Sequence, residues 1–281
     1  MLDLTKCDPL LLQLPDAVVS VLLAESSGLN AKNVMIVGAH CRDILRSASG
    51  QSSGERTTED IDFGLALAGW AAYDELAQKL EPTGNTGIRY RVANVPTDLM
   101  PFGIVENPVG SVTPPARRDQ ISVWGFTEVF NASCPLRLPS AGTIRIPTIA
   151  GYATLKLAAW LDRSDYGQYK DAADIATALY WYSELPEIDA LLYDTEHGQD
   201  MLVQEEADYP VAAARVLGQD IAAIIGDTRL SELVARWPGS REDSLFAEMA
   251  VANVPGWPQS PDRRRQLVRG MQRGLGIEAT D

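Results

Sequence analysis

The chain has 281 residues, 46% hydrophobic and 22% charged, an ordinary globular composition long enough for two cores. No apolar run approaches the ~20 residues that span a bilayer, so no membrane partner is expected. The formal net charge of −14 repels polyanions at long range, which argues against bulk nucleic-acid binding and leaves only a local basic patch as a route to RNA.

Residues Pro9 to Glu25 carry Leu10, Leu14, Val18, Val21 and Leu22 at helical spacing. The start of the chain shows neither the basic residues nor the small-residue cleavage site of a signal peptide. Cys7, Cys41 and Cys134 are odd in number and widely spaced, which fits neither a disulfide framework nor a zinc site. A cytoplasmic location is therefore expected. Val34-Met-Ile-Val-Gly38 reads as a buried strand ending in a tight turn, and Ala39-His40-Cys41-Arg42-Asp43 as a short helix. The polar stretch Ser47–Gly54 predicts a mobile surface loop.

Arg56-Thr-Thr-Glu-Asp-Ile-Asp-Phe-Gly64 is the most informative stretch. Asp60 and Asp62 alternate with Ile61 and Phe63, the period of a strand, so both carboxylates face one way and both apolar side chains the other. Like charges so close repel each other, and a divalent cation between them removes the penalty. The alternative is a pair of solvated carboxylates on an edge strand. Trp70 to Leu80 has helical spacing, and Ile88–Val92 alternates as a strand beside the next one, Val95-Pro-Thr-Asp98-Leu-Met-Pro-Phe-Gly103, which carries a third acid. Gln120 to Arg145, rich in β-branched and aromatic residues, reads as short strands that extend the sheet, at 121–123, 136–138 and 143–146. From Pro147 the composition turns Ala- and Leu-rich. Helices are predicted at 149–162, 170–183, 201–225, 230–236, 242–251 and 263–274, separated by turn signals such as Pro186, Gly198 and Gly226. The organisation expected is an α/β (α+β) head with a mixed sheet over residues 1–146, then an all-helical domain over 147–281 that closes an active-site cleft.

Three segments, Gly38-Ala-His-Cys-Arg-Asp43, Arg56-Thr-Thr-Glu-Asp-Ile-Asp62 and Asp98-Leu-Met-Pro-Phe-Gly103, together resemble the AbiEii/MenT-type nucleotidyltransferases of the DNA polymerase β superfamily. The likeness also reaches Leu155-Lys-Leu-Ala-Ala-Trp160 and Lys170-Asp-Ala-Ala-Asp-Ile175, and no motif of the last third of the chain takes part. It implies a metal-dependent enzyme that moves NMP from an NTP such as ATP to an acceptor hydroxyl. Asp60, Asp62 and Asp98 would hold two Mg²⁺ ions, with Asp98 nearest the acceptor. Gly38, Ala39, Arg42 and Arg56 would face the nucleotide, Lys156 would bind its triphosphate, and Asp171 would hold Lys156 in place or contact nucleotide or acceptor. The family's turn usually has Gly-Gly or Gly-Ser; Gly38-Ala39 has no hydroxyl, so one phosphate contact must come from backbone or a neighbour. For Lys156 the alternative is a side chain that snorkels to water, for Asp174 a surface ion pair, and for Arg42 and Asp43 a helix-start pair.

For the acceptor, the resemblance implies RNA, the 3′ end of tRNA in particular, and the toxin half of a toxin–antitoxin pair with a cognate antitoxin as partner. A small-molecule, antibiotic-type nucleotidyltransferase is the alternative, and a catalytically silent partner-binding protein of the same fold is a further one. Arg265, Arg269 and Arg273, four residues apart on a predicted helix, form the one sequence-local stripe suited to an RNA strand, or else a solvated helix face.

Overall fold

A computed structural model describes residues 2–51, 60–117, 119–237 and 239–277. The chain divides into two compact units, one ending at Thr148 and the other beginning at Ile149.

In the first unit two 3-10 turns, Leu4–Lys6 and Pro9–Leu12, lead into α1 (Gln13–Glu25). Leu10 is exposed, and the face that packs inward is Val18, Val19 and Leu22. Four consecutive apolar residues make β1 (Val34–Val37), buried throughout, and α2 (Gly38–Ala48) follows without an intervening loop. Ser47 and Ala48, predicted as loop, therefore finish a helix; Ser52–Gly54 lie outside the described residues. Next come β2 (Ile61–Leu67), α3 (Ala71–Lys79), β3 (Glu81–Pro82), β4 (Arg89–Val92) and β5 (Val95–Gly103). A small separate hairpin, β6 (Ser111–Val112) with β7 (Ile121–Ser122), precedes α4 (Phe126–Asn131), β8 (Cys134–Arg137) and β9 (Thr143–Ile146).

The described strands form a mixed seven-stranded sheet in the order β3-β4-β5-β2-β1-β9-β8. Of the strands predicted between 120 and 145, β8 and β9 extend this sheet, whereas β7 does not. The aromatic content of that stretch also conceals α4. Phe126 and Phe130 are four apart, one helical face, and both rings pack on Phe102 of β5, at 5.6 and 5.4 Å between centroids. Gly64 in β2 leaves room for them, since a Cβ there would come within 3.1 Å of the Phe102 ring and 3.3 Å of Phe126. Asp16 ties α1 to the β8–β9 turn by accepting from the backbone N–H groups of Ser140 and Ala141, each at 2.8 Å.

The second unit is helical: α5 (Ile149–Arg163), α6 (Asp171–Ser183), α7 (Pro186–Asp194), α8 (Glu196–Gln204), α9 (Tyr209–Arg236), α10 (Gly239–Glu248) and α11 (Pro261–Gly274). Pro186, read as a separator, instead opens α7, where its fixed φ and missing N–H cost nothing. The single helix predicted over 201–225 is broken. Glu206 and Ala207 take left-handed backbone, and Asp208 starts α9 by accepting from Val211 N at 3.3 Å. α9 then runs past Gly226, kinked there (φ 68°, ψ 172°), to Arg236. Trp160 and Trp181 fill the core. α9 and α11 touch backbone to backbone, because a Cβ on Gly218 would lie 2.1 Å from Met271 O and one on Gly274 2.1 Å from Arg215 O. Among the described residues, no helix is long and apolar enough to cross a membrane.

Candidate active site

The sheet register aligns the acidic residues. Asp62 in β2 is the partner of Asp98 in the parallel β5, Asp98 is the partner of Arg89 in β4, and Val37 at the end of β1 is opposite Asp62. Partners across a sheet project from the same face, so Arg89, Asp98 and Asp62 form one row. Their neighbours Tyr90, Thr97, Leu99, Ile61 and Phe63 are buried on the opposite face. Asp60, two residues before Asp62 and just ahead of the strand, joins this row through Arg89. The guanidinium donates from Nε to Asp98 Oδ1 at 2.8 Å, and from one terminal nitrogen to Asp98 Oδ2 and Asp60 Oδ2, both at 2.7 Å. The hydrogen bonds to Asp98 raise the Arg89 pKa most; burial opposes them, and the charges of Asp98 and Asp60 add to the rise. The sequence reading gave Arg89 no role in the site.

Gly38 explains why β1 passes straight into α2. Its φ is +66°, and a Cβ there would lie 2.0 Å from Asp62 Oδ2, so both the backbone and the neighbouring carboxylate require glycine. Val37 offers no side-chain cap, and the start of α2, the positive end of the helix, lies beside the Asp62 carboxylate. Ala39 is half-buried. Burial pulls the His40 pKa below its ordinary value, against the opposing charges of Asp43 and Asp60, and its Nδ1 is buried with no hydrogen-bond partner among the described residues. Arg42 is buried and pairs with Asp43 in the second turn of α2, its Nε and a terminal nitrogen each 3.0 Å from Oδ1. Arg56 lies outside the described residues.

Lys156 and Asp171 belong to the helical unit and meet there. Lys156 on α5 lies 2.6 Å from Asp174 Oδ2 and 3.3 Å from Asp171 Oδ1, both on α6, and 5.6 Å from the centre of the Tyr152 ring. The Asp171 side chain is wholly buried and also accepts from Arg163 at 3.1 Å. Burial alone would lower the Lys156 pKa, but Asp174 and then Asp171 outweigh it, so the net shift is upward and the ammonium stays charged. Lys156 thus sits in a charge cluster instead of snorkelling to water. The arginine stripe of α11 is largely neutralised: Arg265 pairs with Asp262 at 2.6 Å and Asp243 at 3.3 Å, and Arg273 grips Glu205, with Nε 2.9 Å from Oε1.

Carboxylate oxygens are the hard donors that Mg²⁺ prefers, so Asp60, Asp62 and Asp98 fit a divalent cation in kind. In this structure Arg89 holds two of them, and among the described residues no three acidic, histidine or cysteine side chains are grouped in a way that could hold a metal ion. Fold and site together define a mixed α/β sheet that presents a row of carboxylates beside a glycine turn, followed in the chain by a helical unit. Comparison with protein-family profiles, curated proteins and solved structures finds no match.

Proposed function

We propose that the chain is a nucleotidyltransferase that moves NMP from an NTP to an acceptor hydroxyl. The observation that carries this reading is the alignment of Asp62 with Asp98 on adjacent parallel strands, with Asp60 two residues earlier and Gly38 against the Asp62 carboxylate. In the reaction, a bond forms between the acceptor oxygen and the α-phosphorus, the bond to the bridging oxygen breaks, and pyrophosphate leaves. The acceptor also loses a proton, and Asp98, outermost of the three acids in the row, is the group we assign to receive or orient it. Bound Mg²⁺ supplies neutralisation of the charge on the reacting phosphates, and Asp60, Asp62 and Asp98 are the residues that would hold it. The positive end of α2, at Gly38 and Ala39, suits an anionic phosphate. Arg42 would have to leave Asp43 to contribute. The resemblance adds Arg56 to the nucleotide site and Lys156 to the triphosphate. It also gives Asp171 the task of holding Lys156, which the 3.3 Å pair supports.

RNA, with the 3′ end of tRNA as its acceptor hydroxyl, is the acceptor that the resemblance favours, in a toxin with a cognate antitoxin. A cytoplasmic setting, where NTPs and reduced thiols are found, belongs to the same proposal; none of the three cysteines is in a disulfide. Two observations favour the second reading, a small cationic acceptor: the net charge of −14, and the ion pairs that occupy Arg265 and Arg273. The test is incubation with each labelled NTP plus either total RNA or a panel of cationic antibiotics. Label should enter one acceptor class with the wild-type chain and neither class with Asp60→Ala or Asp62→Ala, both of which should remain folded. Undiminished transfer by either folded variant would sink the nucleotidyltransferase reading.

A further inference from the structure

Two of the three acids, Asp60 and Asp98, share a cation in Arg89. Arg89 reaches Asp98 with two nitrogens and Asp60 with one, and among the described residues these carboxylates are its only hydrogen-bond partners. Carboxylate oxygens from two different elements converge on a single nitrogen, each at 2.7 Å, which is the demand a hard cation makes of the same residues. A guanidinium matches that demand in charge sign, though not in coordination geometry, and cannot act as a Lewis acid. The strand that carries Arg89 lies towards the end of the sheet, with only the two-residue β3 beyond it, and the Arg89 side chain is 32% exposed against 17% for Asp98. Asp60 is as exposed as Arg89, at 31%, so the guanidinium reaches solvent from its place between the two carboxylates, and Asp98 is the more enclosed of the pair.

We propose that Arg89 is a built-in counter-cation of the carboxylate site: it neutralises Asp60 and Asp98 in the ligand-free chain, and a divalent cation loads by displacing it. The inference rests on the reading of Asp60, Asp62 and Asp98 as metal ligands. Loading is then an exchange of one cation for another. The site is spared its self-repulsion when empty, at the cost of weaker metal affinity. The displaced guanidinium remains on the polar face of the sheet, where the phosphates of an incoming nucleotide offer it a bidentate partner.

The test needs no turnover. Mn²⁺ is titrated into metal-free full-length protein and the free ion is read by electron paramagnetic resonance, for wild type, Arg89→Gln, and Arg89→Gln combined with Asp62→Ala. The expected result is Mn²⁺ binding about tenfold tighter in Arg89→Gln than in wild type, the factor that ~1.4 kcal/mol of lost competition represents, with the tight binding abolished in the double variant. Should Arg89→Gln fail to fold by circular dichroism, Arg89→Lys, which keeps the charge but loses the fork, should bind Mn²⁺ more tightly than wild type by a smaller factor. If wild type and the Arg89 variant bind Mn²⁺ equally and Asp62→Ala removes that binding, the metal site stands and the counter-cation role is overturned. If no folded form binds Mn²⁺, the metal reading itself fails and takes this inference with it.

Discussion

The closest approach in the site, between Gly38 and the Asp62 carboxylate, predicts how stability should respond to Gly38→Ala. A left-handed φ costs an L-residue about 1–2 kcal/mol, and Gly38 sits at +66°. The added Cβ would stand 2.0 Å from Asp62 Oδ2 and 2.8 Å from Cγ, so the carboxylate must swing away, an overpacking cost of about 1–3 kcal/mol. Alanine also narrows the unfolded ensemble, which returns about 0.4–1 kcal/mol. The net expectation is a loss of roughly 1–4.6 kcal/mol in the α/β unit, centred near 3. In an Asp62→Ala background the two closest atoms are gone and only a 3.0 Å approach to the Asp62 Cβ and the φ penalty remain, so with the same unfolded-state gain the substitution should cost about 0–1.6 kcal/mol there. Because two units need not unfold together, the readout is hydrogen exchange of the Val34–Val37 amides over a urea series. A cycle whose two arms agree within about 0.5 kcal/mol would mean that the Asp62 carboxylate does not lie against Gly38, and the geometry assigned to the site would be wrong.

Lys156→Ala strands the wholly buried Asp171 with Arg163 alone and removes an ion pair from Asp174. Breaking a buried pair in this way costs about 3–5 kcal/mol, so thermal unfolding should drop clearly, and an unchanged Tm would rule out a structural role for the cluster. Asp208, whose pKa is lowered chiefly by the hydrogen bond from Arg263 against the cost of burial, lends stability that is present above the unfolded carboxylate value of about 3.9 and lost as pH falls through the lower folded value. Asp208→Asn keeps the cap on α9 but loses the charge. It should be weaker by about 0.5–1 kcal/mol at pH 7, and the gap should close as the pH drops below ~4. A gap that stays constant down to pH 2 would contradict this.

Much of the sheet could be read from the period of two, because Ile61, Phe63, Tyr90 and Leu99 each bury one face of a strand whose other face is polar. The helical segments of the second half were legible in kind but not in extent. The Glu206–Ala207 left-handed turn carries no glycine to announce it, and the kink at Gly226 bends α9 without ending it. Arg89 was hidden for a similar reason. Its pairing with Asp98 follows by counting from a two-residue turn at Ala93-Asn94, both with positive φ, but that dipeptide lacks the glycine that normally marks such a hairpin. The pairing of Asp62 with Asp98 could not be counted at all, since parallel strands joined by a long crossover have no turn to fix their register. Gly218 of α9 and Gly270 and Gly274 of α11 are weak helix formers by composition, and their reason appears only when another backbone arrives within about 2–3 Å of where a side chain would be.

The strand order also sets a timetable for synthesis. β1, a run of Val-Met-Ile-Val with both faces covered in the finished unit, pairs on one side with β2, which the ribosome delivers soon after it, and on the other with β9, which arrives only at Thr143–Ile146. Throughout that interval the nascent sheet can carry its row of acids while exposing an apolar, hydrogen-bond-hungry edge, the kind of surface on which chains stick to one another. The last two strands of the α/β unit, which carry none of the candidate catalytic side chains, close that edge.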